Sequence, residues 1–392
     1  MWKDDSRTIA TEWTIPLDSA RPYAASLPCA QPVSAEYTSD DVRFATQPLV
    51  DRHGRVAAHE LLFRWNSADQ PVSPTLGAYA TAHALSNALL DGEWLTRLPA
   101  ASPSAPASSE CAGACARPAL SPLYVNMDEG FLLGPMADAI TPAVGVIELL
   151  ETVVPSPEVQ RRVQALHQRG HRFSLDDVEG TDDPRWALAE YVESIKIDCM
   201  AAPRHAWEPL IRMARTAGLR VIVEKVETDG DISLLKALGA DLFQGYGIER
   251  PTVHRVPALP GCNVKLMGRL YVMAEEGADV DSLAALAESD PAVVARLLRL
   301  QAIYCPQEVA LSRDLAGVMR SLPRPVLVAW LAQLNVTALH GRGGDRVAGV
   351  RKQMAHIRSE LAATGPADAV MRQQEAFERY RALVAHLARR CN

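Results

Sequence analysis

The sequence predicts an α/β fold, a closed barrel of strands and helices, followed by an all-helical segment. Three observations lead there. From about residue 41 to residue 251, short apolar runs alternate with amphipathic stretches of helical period. Polar residues close one apolar run after another, as on the rim of a β/α barrel, where strand C-termini converge. After "ERP", Glu249–Pro251, the alternation stops and the remaining periodic segments repeat at three and four residues.

Residues 1–40 are rich in Pro, Ala, Ser and Thr without a sustained period, which predicts an irregular arm. "VRFATQPLV" then reads as a strand, and "AHELLFRW" as a second. "PTLGAYATAHALSNALLDGEWLTRL" has helical spacing. Small residues and proline at 101–121 mark a loop insertion. "LYVNM" and "AVGVIELLE" are strand-like, and "PEVQRRVQALHQRG" is an amphipathic helix ended by Gly170. "HRFSLDD" and "SIKID" are strands, and "AWEPLIRMARTAG" is a helix ended by Gly218. "LRVIVEK" is a strand, "DISLLKALG" a helix and "ADLFQGYGI" the last strand. Strands separated by helices of this length form parallel β/α units over residues 41–251. Residues 252–392 are expected to form a separate helical domain, from "LMGRLYVMAEE" to "AFERYRALVAHLARR". Its histidines, His254, His340, His356 and His386, are scattered and read as surface or packing residues.

A formal net charge of −7, from 47 acidic and 40 basic side chains, argues against broad DNA or RNA binding, which needs a positive footprint. It leaves room for a small anionic ligand held by a metal or a few local arginines. Seven cysteines without regular spacing do not make a disulfide framework. Cys111 and Cys115 lack the second ligand pair of a zinc site and read as part of a surface loop. The N-terminus lacks the apolar run of a signal peptide, and no stretch is long enough to cross a bilayer. A cytoplasmic protein without membrane association is the expectation.

The strand ends carry the chemistry. Glu60, Asn126, Glu148 and Asp176 are hard oxygen ligands on different strands, a set suited to Mg²⁺ or Mn²⁺ and not to zinc. Asp177 beside Asp176 allows a second cation next to the first, as in sites that hydrolyse phosphodiesters. Lys196 is placed to steady charge on a phosphate, and Glu224 to orient or deprotonate a water. Gln244 offers a further hydrogen bond. Each residue alone also has a plain reading: Asn126 capping a turn, Lys196 snorkelling from a barrel edge. Their recurrence on successive strand ends favours a metal site.

Taken in order, these motifs resemble the EAL domain, a TIM-like barrel that hydrolyses cyclic di-GMP to linear pGpG with Mg²⁺ or Mn²⁺. The name motif stands here as "ELL" within "ELLFRW". The resemblance implies metal ligation by Glu60, Asn126 in "VNM", Glu148 in "ELLE", and Asp176 and Asp177 in "LDD". It implies substrate contacts for Gln47, Arg64 and Gln244, and catalytic roles for Lys196 in "IKID" and Glu224 in "VEKVET". Glu151 is a further matching glutamate. It also implies self-association through the barrel. The chain departs from the family at "DDVEGT", which lacks the Phe-Gly pair after the aspartates, and at Lys225, which stands where the family has glycine. Strand alternation predicts that Lys225 points off the direct line of Glu224.

The helical segment resembles the HDOD domain of two-domain EAL–HDOD signalling proteins, most closely in "LAESDPAVVARLLRLQAIY". That likeness implies a regulatory role and a protein partner for residues 252–392. Three functions follow: a cyclic di-GMP phosphodiesterase, a non-enzymatic scaffold that binds cyclic di-GMP or only a protein, and a barrel hydrolase for another phosphodiester.

Overall fold

The computed structural model describes residues 41–64, 77–92, 122–257, 259, 261–309 and 311–340. The expected arm at 1–40, the insertion at 101–121 with Cys111 and Cys115, and the last helical segment with His356 and His386 lie outside them.

Nine strands form one sheet: β1 (Asp41–Asp51), β2 (Val56–Phe63), β3 (Leu123–Met127), β4 (Gly145–Leu149), β5 (Phe173–Leu175), β6 (Ser194–Asp198), β7 (Arg220–Glu224), β8 (Leu242–Phe243) and β9 (Thr252–Pro257). The order β2-β3-β4-β5-β6-β7-β8-β1, closed by pairing of β1 with β2, makes a barrel. β2 to β8 are parallel, as their spacing predicts. β1 is not: it runs antiparallel to both of its barrel neighbours. The cause is local. Only Arg52–Arg55 separate β1 from β2, with Gly54 at φ 78°, and so tight a hairpin reverses the chain where a parallel pair needs a long crossover.

The connections are α1 (Gly77–Leu85), continued by a π-helical turn at Ser86–Asp91, α2 (Glu129–Leu133), α3 (Pro157–Gln168), α4 (Arg204–Thr216) and α5 (Asp229–Leu238). Ser156 and Thr228 cap α3 and α5, each accepting from a backbone N–H three residues on. Gly170, Gly218 and Gly239 follow helix ends at positive φ, as C-terminal glycines do. Between β5 and β6 the chain makes only a 3₁₀ turn, Pro184–Leu188.

Strand alternation sorts the barrel interior into two kinds of residue. Leu49, Ala58, Tyr124, Val146, Ile222 and Leu242 form a buried cluster. Two residues further along its strand, each of five points a polar group the same way: Glu60, Asn126, Glu148, Glu224 and Gln244. Buried Ser174 and Ser194, hydrogen-bonded at 3.0 Å, precede Asp176 and Lys196 by the same two residues. In β1 the order is inverted, with polar Gln47 ahead of apolar Leu49, because that strand runs the other way. All eight barrel strands thereby bring one polar side chain to the same region.

After Pro251 the sheet gains one more strand, β9, antiparallel to β1. His254 in β9 stacks on Phe44 and meets Thr46 Oγ1 at 2.9 Å, so it is a packing residue. Among the described residues five helices follow: α6 (Val264–Glu275), α7 (Val280–Ala287), α8 (Pro291–Tyr304), α9 (Leu315–Ser321) and α10 (Arg324–His340). No strand interrupts them among the described residues. Barrel and helices form one compact unit. The Tyr304 hydroxyl donates to Ala139 O and accepts from Trp330 Nε1, and Arg296 pairs with Asp91 at 3.4 Å.

Candidate active site

Lys196 stands at the centre. Its side chain is 1 % exposed, and its Nζ lies 2.9 Å from Asp176 Oδ1, 2.9 Å from Glu224 Oε2, 3.1 Å from Glu148 Oε1 and 3.3 Å from Glu60 Oε2. The edge-snorkelling alternative therefore fails. β6 is buried on both faces, and Lys196 shares its inward face with Ser194, so the ammonium turns into the barrel and not out to its edge.

The remaining polar groups fix the carboxylates. Asn126 Nδ2 donates to Glu60 Oε1 at 3.0 Å, which is not a turn cap. Gln244 Nε2 donates to Glu60 Oε2 at 2.6 Å and to Gln47 Oε1 at 3.0 Å. Gln47, opposite Glu60 across the β1–β2 pair, donates to Glu249 O at 2.9 Å. Gln244 is held there by Gly245: at φ 148° a Cβ would meet Val226 N and O at 2.4 Å, so only glycine permits the approach. Arg64 follows β2 and donates to Phe63 O at 2.9 Å, while its buried Nε has no hydrogen-bond partner. Glu151 is exposed beyond β4.

Asp177 follows Asp176 in the left-handed region, at φ 46°. Asp176, Asp177 and Glu224 each offer a ligand oxygen, all within 4.8 Å of one another. Arg185, which the sequence reading passed over, holds this corner. Its buried guanidinium donates to Leu149 O at 3.0 Å and Asp176 O at 2.6 Å, and pairs with Asp183 at 2.6 Å. Its signal was weak, one arginine in a loop after the acidic pair.

Lys225 does not follow strand alternation, because β7 ends at Glu224 and Lys225 itself sits at φ 55°. The left-handed turn brings its Nζ to 2.6 Å from Asp198 Oδ2 and 3.2 Å from Asp177 Oδ1. Asp198 is the second residue missed from the sequence. It closes "IKID" as the other polar residues close their strands, which was the available signal.

Burial and crowding set the protonation states. Burial, with Glu60 and Asp176 nearby, pushes Glu148 well above the usual carboxylate range despite Lys196. Glu224 and Asp176 are raised for the same leading reason. Burial disfavours the Lys196 ammonium, but its four carboxylates outweigh that and hold the proton firmly. Asp177 is lowered: burial opposes ionisation, and hydrogen bonding to Glu224 with the charge of Lys225 overcomes it.

Six carboxylates thus face two ammonium groups. Buried Asn126 Oδ1 and Glu148 Oε2 have no hydrogen-bond partner. Crowded acidic side chains and orphaned hard oxygens are what a divalent cation satisfies, so these residues fit a divalent ion that favours oxygen ligands.

The model of the EAL domain family matches residues 136–251. The chain is 27% identical over 215 residues to the uncharacterized protein YuxH of Bacillus subtilis, covering 53% of this chain and 47% of YuxH. It is 29% identical over 157 residues to the cyclic di-GMP phosphodiesterase CdgJ of Vibrio cholerae, covering 39% of this chain and 36% of CdgJ. The chain thus spans about half of the first relative and little over a third of the second. Among solved structures, the EAL-domain protein YkuI of Bacillus subtilis, in complex with cyclic di-GMP and calcium, aligns with a TM-score of 0.41 at 15% identity, covering 54% of this chain and 55% of that one. No helix among the described residues is long and apolar enough to cross a membrane.

Proposed function

We propose that the barrel is a divalent-metal-dependent phosphodiesterase that converts cyclic di-GMP to linear pGpG. The observation that carries this reading is the carboxylate ring around Lys196 with Asn126 Oδ1 and Glu148 Oε2 left unpartnered, in a barrel whose residues 136–251 match the EAL domain. The match to a curated cyclic di-GMP phosphodiesterase supports the substrate.

Glu60, Asn126, Glu148 and Asp176 would hold Mg²⁺ or Mn²⁺, with Asp177 beside them. The bound ion supplies Lewis acidity and a water acidic enough to attack phosphorus near neutral pH. Glu224, raised by burial, is a stronger base than an ordinary carboxylate once ionised and takes the proton of the attacking water. Lys196 stays an ammonium and offsets the charge that builds on the phosphoryl oxygens. Arg64, with Nε uncommitted, receives a substrate phosphate oxygen. Gln47 and Gln244 orient Glu60. One water is consumed and one phosphodiester P–O bond breaks; the water's oxygen ends on phosphorus, and the proton taken up by Glu224 balances the one the leaving oxygen finally carries.

In this reading the helices that follow β9, within residues 252–392, form a regulatory, HDOD-type domain that engages a protein partner, and the barrel self-associates. The run of helices α6–α10 supports the helical part.

The test is an assay with Mg²⁺ or Mn²⁺ comparing cyclic di-GMP with a linear dinucleotide. Turnover should be confined to the cyclic substrate, abolished by chelator, and reduced about 10²–10³-fold in Lys196→Ala, the usual loss for one charge-stabilising donor. Equal hydrolysis of both substrates, or none of either, would reject the assignment.

A further inference from the structure

We infer that Lys225 is a tethered cation standing in for a second divalent ion, so that the site takes one such ion per chain. The inference rests on the metal reading given above and concerns the corner beside the first ion.

That corner has the makings of a cation site. Asp176, Asp177 and Glu224 bring ligand oxygens within 4.8 Å of one another. Glu224 is 6 % exposed, and its Oε1 has no hydrogen-bond partner. A cation already occupies the outer side of the cluster. The Lys225 ammonium lies between Asp177 Oδ1 at 3.2 Å and Asp198 Oδ2 at 2.6 Å.

Two features make this placement effective. Lys225 is covalently joined to Glu224, so its charge is present at high local concentration whatever the ion concentration in solution. It also engages an oxygen of Asp177, one of the three carboxylates that a second ion would need. A magnesium ion demands oxygens at about 2.0–2.1 Å in near-octahedral array, and an ammonium sharing the same oxygen repels it. Lys196 differs in kind. It touches the four ring carboxylates and not Asp177 or Asp198, so it serves the first position. The Lys225 side chain is 45 % exposed, which lets its removal open the corner without opening the core.

The experiment counts Mn²⁺ bound to the full chain, by equilibrium dialysis with electron paramagnetic resonance of the free ion. Wild type should bind one Mn²⁺. Lys225→Gly and Lys225→Asn should each bind two, both residues being at ease at the positive φ of this position. Adding Asp177→Asn to Lys225→Gly should return the count to one. Circular dichroism establishes that each variant is folded. Two ions on wild type, or one ion on both folded Lys225 variants, would overturn the inference while leaving the metal reading intact. No ion on any of the proteins would overturn the metal reading and the inference with it.

Discussion

Replacing Lys196 by Met removes the charge and keeps most of the volume. The ammonium is 1 % exposed and has four carboxylate oxygens within 3.3 Å. Without it, those acids face one another in a dry interior. Breaking a buried ion pair from one side costs about 3–5 kcal/mol, a large part of the roughly 5–15 kcal/mol that holds a domain together. The loss should depend on pH with a definite sign. Glu148 and Glu224 are raised above their ordinary 4.5 by burial even with Lys196 present, and rise further without it. Between 4.5 and the raised value the folded chain holds protons that the unfolded chain has released, so stability falls as pH rises through that window. The gap between wild type and Lys196→Met should therefore be wide at pH 8 and narrow toward pH 5. A divalent ion should rescue the variant, adding about 2.7 kcal/mol at one hundred times its Kd. Urea unfolding followed by tryptophan fluorescence at the two pH values, with and without Mg²⁺, measures all three. A gap under about 1 kcal/mol at pH 8, or one that widens in acid, would refute the electrostatic account of the ring.

Glu60→Gln should weaken Mn²⁺ binding and leave the fold intact, since the amide oxygen still accepts from Gln244 Nε2 and Asn126 can turn its unpartnered Oδ1 toward the new NH2; calorimetry showing unchanged affinity in the folded variant would remove Glu60 from the ligand set. Arg185→Ala should destabilise by about 3–5 kcal/mol, because it strands Asp183 and the carbonyls of Leu149 and Asp176. It should also lower Mn²⁺ affinity by loosening the Asp176–Asp177 corner. An unchanged melting temperature would rule out the clamp.

What the sequence made legible follows from what side-chain period encodes. β3, β4, β6 and β7 were plain because a short apolar run ended by a polar residue has few other solutions, and the same runs named Asn126, Glu148, Lys196 and Glu224. The direction of β1 was not legible from its own residues, because an alternating strand reads alike both ways; the turn at Arg52–Arg55 decides it. The 3₁₀ link before β6 left no periodic mark, being a single short turn. Lys225 does lie off Glu224, against Asp177 and Asp198, but alternation is not the reason, because φ 55° ends the strand there. Arg185 acts on backbone carbonyls, which a sequence does not display. The region beyond Pro251 read as helical and is so from Val264, but the apolar–polar alternation of "TVHRVP" was too short to declare β9.

That last strand decides where the barrel can be cut. On one side β1 is paired along most of its length with β2. On the other it is shared: β8 takes only Val50 and Asp51, and β9 takes Asp41–Thr46. A fragment ended at Pro251, where the strand–helix alternation stops, would strip β9 and leave those N–H and C=O groups as a raw edge. An unpaired edge of that kind recruits strands from other molecules. Such a fragment invites aggregation even with every residue of the carboxylate ring in place, whereas six more residues, Thr252–Pro257, seal it.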